Sequence, residues 1–461
     1  MFGKKPRIPL FLAGVGAVVA SLAVAAPASA ASPSDWSTYL NNRARTGFNA
    51  AESLITPGTV GRLHPVWRFT SGSVSAEPMQ VGGVVYYGSW DGHERAVSAS
   101  TGKLLWSTFL GKTAKSTCNP PSAGVASTAT VGTIPVNGVS TLAVFVGGGN
   151  QNFFALNAAT GSVIWKRSLG PTSSTFLWGS PLFYRGIVYE GVSSFGDCPL
   201  IRGKIVAIRA TNGAIRHTLF TAPSGCTGAS VWGSPTLDTA TGDIYFATGN
   251  GNTSCTEPLS VAIVRASSDL ALLSKWQVPV SSHGPDSDFG STPTLFTAGG
   301  RPMVGLQNKN GFYYAFDRRS IGGGPVWQTK MSRPGPCPNC GIGNVASSAW
   351  DGSQLYVGGG RSDINGAVCP GVIAALRPSN GQVIWRNCLH DGPVIGAVTG
   401  VPGIVFAGEG TFFKAFSTSN GATLFSFQDA NSGSNFWGPA TISNGTAYIG
   451  NQDGKLVALR S

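Results

Sequence analysis

Ala96-Val-Ser-Ala-Ser-Thr101-Gly102-Lys-Leu-Leu-Trp106 reads as a short strand, a tight turn opened by Thr-Gly, and a second strand ending in tryptophan. The same arrangement returns at Ala155 to Trp165, at Ala374 to Trp385 and, with Phe425 in place of tryptophan, at Ala415 to Phe425. Self-similarity at a fixed spacing marks a fold built from repeated units. Upstream of each copy lies an apolar strand ending in glycine: Val84 to Gly88, Ala143 to Gly147, Leu355 to Gly358 and Ala447 to Gly450. Upstream again are segments rich in Gly, Ser and Pro, such as Trp178-Gly-Ser-Pro181, Trp232-Gly-Ser-Pro235, Phe289-Gly-Ser-Thr-Pro293 and Trp437-Gly-Pro439.

Eight such upstream segments begin near Val74, Gly124, Trp178, Trp232, Phe289, Asn344, Val394 and Trp437, about 50 residues apart. Each opens a four-stranded unit, yet only seven outer strands follow in order, because the chain ends at Leu456 to Arg460. The missing strand stands at the front, around Pro65 to Phe69. This predicts an all-β fold: an eight-bladed β-propeller of four-stranded antiparallel blades, its ring closed by an N-terminal strand. Closure leaves no end blade with an open face. The outer-strand tryptophans Trp67, Trp106, Trp165, Trp276, Trp327 and Trp385 are expected to pack blade against blade rather than to bind a ligand.

Composition agrees. The 461 residues include 64 Gly and 29 Pro, with 42% hydrophobic, 10% aromatic and only 11% charged residues. An average soluble protein has roughly 25% charged residues and ~7% glycine. Helical bundles and coiled coils are excluded, and the apolar content argues against disorder. The net charge of +12 comes from scattered Lys and Arg. With no basic run, it reads as a solvated surface and not as a nucleic-acid-binding face.

The N-terminus has a leader's composition. Lys4, Lys5 and Arg7 precede the uncharged apolar run Ile8 to Ala26, and Ala28-Ser29-Ala30 has the small-x-small pattern of a cleavage site. Residues 1–30 are therefore expected to be a signal peptide. Residues 31–461 form one domain, with 31–62 an N-terminal segment and 63–72 the closing strand. No later segment is apolar and long enough to span a bilayer. The expectation is a secreted or cell-envelope protein with no membrane span once the leader is removed. Export suits the eight cysteines, Cys118, Cys198, Cys226, Cys255, Cys337, Cys340, Cys369 and Cys388, as disulfide partners. Cys369 and Cys388 fall within one blade and are a plausible pair; the other pairings are open. All eight map to one face, where between-blade links and second-to-third-strand loops meet.

The motif Ala-x-x-x-x-Thr-Gly-x-x-x-Trp resembles the blade signature of the pyrroloquinoline-quinone (PQQ) type of propeller, over nearly the whole mature chain. Asp35 to Tyr39, Arg45-Thr46-Gly47 and Leu54 to Pro57 are similar to that family's N-terminal segment. Gly284 to Gly290, with Gln307 to Gly311, resembles the polyvinyl-alcohol dehydrogenase branch. The resemblance implies a quinoprotein that oxidises alcohol groups, of a small alcohol or of a polymer, with PQQ and Ca²⁺, and passes electrons to an external acceptor. It implies Trp232 as the platform for the quinone, Asn250 as a cofactor and metal ligand, and Lys309 beside the quinone oxygens. Asp288 or Asp286 is implied as the base, with Asp288 also near the metal.

Topology carries these residues, together with Trp178, Trp437, Arg361 and Glu409, to the same mouth. Three departures stand against this. Cys198 occupies the place of the family's metal-binding Glu ahead of Arg202-Gly203, and Glu190 is out of position. No two cysteines are adjacent. Cys337-Pro-Asn-Cys340 is followed by Gly341 rather than His, so no c-type haem is expected. The alternative expectation is a non-catalytic binding or scaffold module at the cell surface that has lost the cofactor.

Overall fold

The computed structural model describes residues 1–3 and 32–461, apart from 117, 172, 173, 253 and 430–432. The expected leader lies outside the described residues, except for its first three. Eight four-stranded antiparallel sheets follow one another around a ring. Their innermost strands are Met79–Val81, Thr130–Val136, Leu182–Tyr184, Thr236–Leu237, Thr294–Ala298, Ala349–Trp350, Thr399–Val401 and Thr441–Ser443. We number blades 1 to 8 in that order. Blade 3 has a split inner strand, since Thr175–Phe176 also pairs with Ile187–Ser194. The N-terminal strand His64–Thr70 pairs antiparallel with Lys455–Arg460 and completes blade 8. The ring therefore closes as the repeat count predicts.

The repeated motif is the joint between blades. Gly161 has φ +72°, a conformation that costs a side-chain-bearing residue energy. A Cβ there would lie 2.6 Å from the indole of Trp106 in the preceding blade. The Trp106 indole N–H then donates to the Ala158 carbonyl at 2.9 Å. Trp67 repeats this against Ala99, Trp165 against Ala210, Trp327 against Pro378 and Trp385 against Thr418, at 2.7–3.0 Å. The outer-strand tryptophans thus pack between blades, as expected. Where blade 7 has Phe425, Val60 and Leu63 of the N-terminal segment supply the partner surface.

That segment also does something the sequence did not reveal. It runs around the axis and touches every blade. Trp36 exchanges backbone hydrogen bonds with Gln80 of blade 1, and the Ser37 carbonyl accepts from Val131 of blade 2. The carbonyls of Arg43, Ala44, Thr46 and Gly47 accept from Leu237, Leu295, Trp350 and Gly400 of blades 4 to 7. The Asn49 amide donates to Ile442 of blade 8. Fully buried Arg45 donates to Pro181 of blade 3 and Pro235 of blade 4, both at 3.0 Å.

Burial pushes the Arg45 guanidinium down to about 10, against the pull of Tyr39, Glu77 and Glu190. Burial likewise raises the Glu77 carboxyl to about 8, opposed by the Leu40 amide and Arg45. Glu77 receives that amide at 2.7 Å, and its own N–H donates to Thr128.

Two predictions follow from these contacts. Gly161→Ala should cost about 2 kcal/mol and Trp165→Ala about 3–5 kcal/mol, read as lower urea midpoints. Glu77 binds its proton more tightly when folded than its ordinary value of 4.5 allows. Its contribution is complete below pH 4.5 and is lost as pH rises to about 8. Urea titrations across that window should show stability falling by up to about 1.4 kcal/mol per pH unit, and Glu77→Gln should flatten the slope.

Candidate active site

The axis opens into a cavity of about 430 Å³, lined by Trp90, Trp178, Trp232 and Trp437, with Tyr39 of the N-terminal segment in its wall. Trp90 lies 6.4 Å from Trp178 and 6.3 Å from Trp437, ring to ring, and Trp178 stacks on Phe195. A side cavity of about 260 Å³ shares Trp178, Trp232 and Lys309 with it, and adds Asp197, Asn250 and Asp288.

All five expected site residues meet here. Asp286 and Asp288 come from the link between blades 4 and 5. Asn250 follows the second strand of blade 4, and Lys309 the second strand of blade 5. The Lys309 ammonium bridges Asp286 at 2.8 Å and Asp288 at 3.1 Å. The Asn250 side-chain amide donates to Asp286 at 2.9 Å, and its backbone N–H donates to Asp288 at 2.5 Å. Lys309 stands 5.2 Å from the Trp232 ring centroid. Gly290 makes room for that ring, since a Cβ there would fall 2.1 Å from it. The Trp232 indole N–H is buried and has no partner.

Electrostatics separate the charged groups. Burial raises the Asp288 carboxyl to about 6; Lys309 opposes this, while Asp286 and Asp197 add to it. Burial alone would lower Lys309, but Asp288 and Asp286 outweigh it and hold the ammonium above its ordinary range. Asp288 is thus a carboxylate close to its switching point, with a permanent cation beside it.

The oxygen set of Asp286, Asp288 and Asn250 suits a hard divalent cation. The face of Trp232, its unpartnered N–H and the space left by Gly290 suit a planar polar ring. The residues present therefore fit such a pair of groups.

Several other expectations resolve differently. Trp178 and Trp437 line the cavity as expected. Glu409 does not: it is fully buried and pairs with Lys414 at 2.9 Å. Arg361 is exposed on the rim. Glu190 is fully buried, lines neither cavity, and has no hydrogen-bond partner for either oxygen. Two residues were missed. Trp90 lies outside the repeated outer-strand tryptophans, and its neighbour Asp91 binds Arg95 at 2.6 Å. Asp197, beside Cys198, sets a carboxylate at the side cavity's rim, close to where the sequence lacked a Glu.

The disulfides are Cys118–Cys198, Cys226–Cys255, Cys337–Cys340 and the expected Cys369–Cys388. Cys118–Cys198 and Cys337–Cys340 adjoin the cavity-lining residues Asn119, Asp197, Pro336 and Asn339.

An eight-bladed ring with a polar cluster over a tryptophan floor defines a PQQ-type propeller. The chain belongs to the PQQ_2 family, described as outer membrane protein assembly factor BamB, whose model matches residues 58–287 and 309–461. Among curated relatives, polyvinylalcohol dehydrogenase of a Pseudomonas species is 26% identical over 460 residues, spanning 88% of this chain and 69% of the relative. The quinohemoprotein alcohol dehydrogenase ADHIIG from Pseudomonas putida HK5 superposes with a TM-score of 0.74 at 15% identity, covering 93% of this chain and 80% of its own. A europium-containing methanol dehydrogenase gives 0.72 at 18%, covering 93% and 98%. These two structures support the fold.

Replacing Lys309 tests the electrostatics. A pH titration of tryptophan fluorescence should show a transition near 6 from Asp288. Lys309→Met removes the opposing cation, so the midpoint should move upward by about a unit or more.

Proposed function

We propose that this protein is an exported quinoprotein dehydrogenase that oxidises alcohol groups at the mouth cavity. The observation that carries the reading is the Asp286–Lys309–Asp288 cluster set against Trp232. PQQ, held with Ca²⁺, would supply the two-electron acceptor chemistry. Trp232 would carry its ring, and Asn250, Asp288 and Asp286 would offer oxygens to the cation.

The chain's own residues do the rest. Asp288 above pH 6 is a carboxylate able to take the alcohol proton. Asp286 and Asn250 hold it in place through Lys309 and through the Asn250 backbone amide. Lys309 stabilises negative charge that grows beside it. The wall of Trp90, Trp178 and Trp437 excludes water and offers flat apolar faces to a substrate's carbon chain. Electrons leave to an external acceptor.

A second reading, a non-catalytic scaffold, is favoured by Cys198 in place of the family's Glu and by the family's description as an assembly factor. Asp197 weakens that argument by restoring a carboxylate nearby.

The deciding experiment titrates purified protein with PQQ and Ca²⁺ and follows dye reduction by alcohols. The dehydrogenase reading expects both binding and turnover. Asp288→Asn should cut the rate by about 10²–10⁴-fold, and Asn250→Ala should weaken Ca²⁺ binding, so that more Ca²⁺ is needed for half-maximal rate. Failure of both binding and reduction would leave the scaffold reading.

A further inference from the structure

The Cys337–Cys340 disulfide is unlike the other three. Those join residues 80, 29 and 19 apart; this one joins residues 3 apart. A cross-link stabilises mainly by shortening the unfolded chain's loops. One that closes so small a loop contributes least, so stability does not account for it. Position separates it from two of them. Cys118 and Cys369 anchor their bridges in buried surroundings, whereas Cys340 is exposed and Cys337 is half-buried; Cys226 and Cys255 are both half-buried, and it is the 29-residue separation that sets that bridge apart.

The bridge closes a loop that forms part of the cavity wall. Pro336, Pro338 and Asn339, on and between the two cysteines, line the central cavity. The same loop leans on the polar cluster. The Gly335 amide donates to the Lys309 carbonyl at 3.1 Å, and Gly343 packs close to the Lys309 side chain. Its base is held by Gly343 donating to Arg333 at 2.9 Å, Arg333 to Arg361 at 2.7 Å and Arg361 to Gly341 at 2.6 Å. Between the cysteines, the turn Pro338–Cys340 keeps both sulfurs on one short arc, with the Cys340 amide donating to the Cys337 carbonyl at 2.9 Å. Two thiols formed there would stay side by side, ready to close again.

We infer that Cys337–Cys340 is a thiol–disulfide exchange site for an external dithiol, and that its state sets how firmly the loop 333–343 holds the cavity wall and Lys309. A thiolate of the dithiol attacks the exposed Cys340 sulfur; the Cys337 sulfur leaves as thiolate. The second thiol of the reductant then resolves the mixed disulfide. The dithiol departs oxidised, and its two electrons and two protons rest on Cys337 and Cys340. The inference does not depend on the quinone reading.

The test uses the native full-length protein with graded dithiothreitol, alkylation by iodoacetamide and peptide mass mapping. Cys337 and Cys340 should be tagged at dithiol concentrations about tenfold below those that open any other pair. At that point, amide hydrogen exchange over 333–343 and at Arg361 should be about tenfold faster. The Cys337→Ser, Cys340→Ser double variant should show the fast exchange with no dithiol added. Tagging of the pair together with or after Cys226 and Cys255 would overturn the inference, as would selective reduction that leaves exchange unchanged. Should the variant not fold, the wild-type labelling and exchange still decide.

Discussion

The fold depends on one contact made repeatedly: a tryptophan of one blade laid on a glycine of the next. Gly102, Gly161, Gly213, Gly381 and Gly421 each hold positive φ and each face an indole that a Cβ would strike. The indole N–H then finds a carbonyl one turn away. The geometry is specific because both halves are required. Glycine makes the turn and leaves the space; tryptophan fills it and satisfies its own polar atom. Adjacent sheets are thereby locked in angle as well as distance, and the ring closes at eight.

A ring locked at its outer edge leaves its loops free to vary. The axis is sealed on the inside by the segment 36–49, which pairs with the blades through backbone groups and clamps two of them with Arg45. What remains is a one-sided cup. Its wall is aromatic and includes Tyr39, and its polar groups come from four segments between residues 197 and 309. Low dielectric in that cup raises the proton affinity of Asp288 while the two carboxylates secure the charge on Lys309. The same low charge density that suits stacked sheets makes the few buried charges effective.

Much of this was legible in the sequence, for physical reasons. A turn glycine after Thr or Asn, followed four residues on by Trp or Phe, is a local device, so its four copies announced the blades. Strand order then placed Trp232, Asn250, Asp286, Asp288 and Lys309 on one face without any contact being known. Cys369–Cys388 was readable because both residues belong to one blade, where Val372 lies opposite Cys388.

Other features left no such mark. The path of residues 36–49 is set largely by main-chain hydrogen bonds, and its side-chain anchors Arg45 and Asn49 bond carbonyls far off in sequence, so neither leaves a local pattern. Cys118–Cys198 spans blades, and counting cannot choose among many pairings. Trp90 and Asp197 sit in loops whose direction depends on three-dimensional packing. Glu409 was misplaced because it is the last residue of the strand Ile404–Glu409 and not part of the loop after it, and its carboxylate pairs with Lys414 of the next strand.

In the proposed reading, the Asp288–Asn250–Asp286 oxygens and the Trp232 face together form a cation-dependent ring-binding site. A crystal structure of the protein grown with PQQ and Ca²⁺ tests it most directly. Planar density should lie on Trp232, with a cation at oxygen-ligand distances of about 2.3–2.6 Å from Asp288 and Asn250. A cavity holding only water, with Lys309 still bridging Asp286 and Asp288, would contradict it.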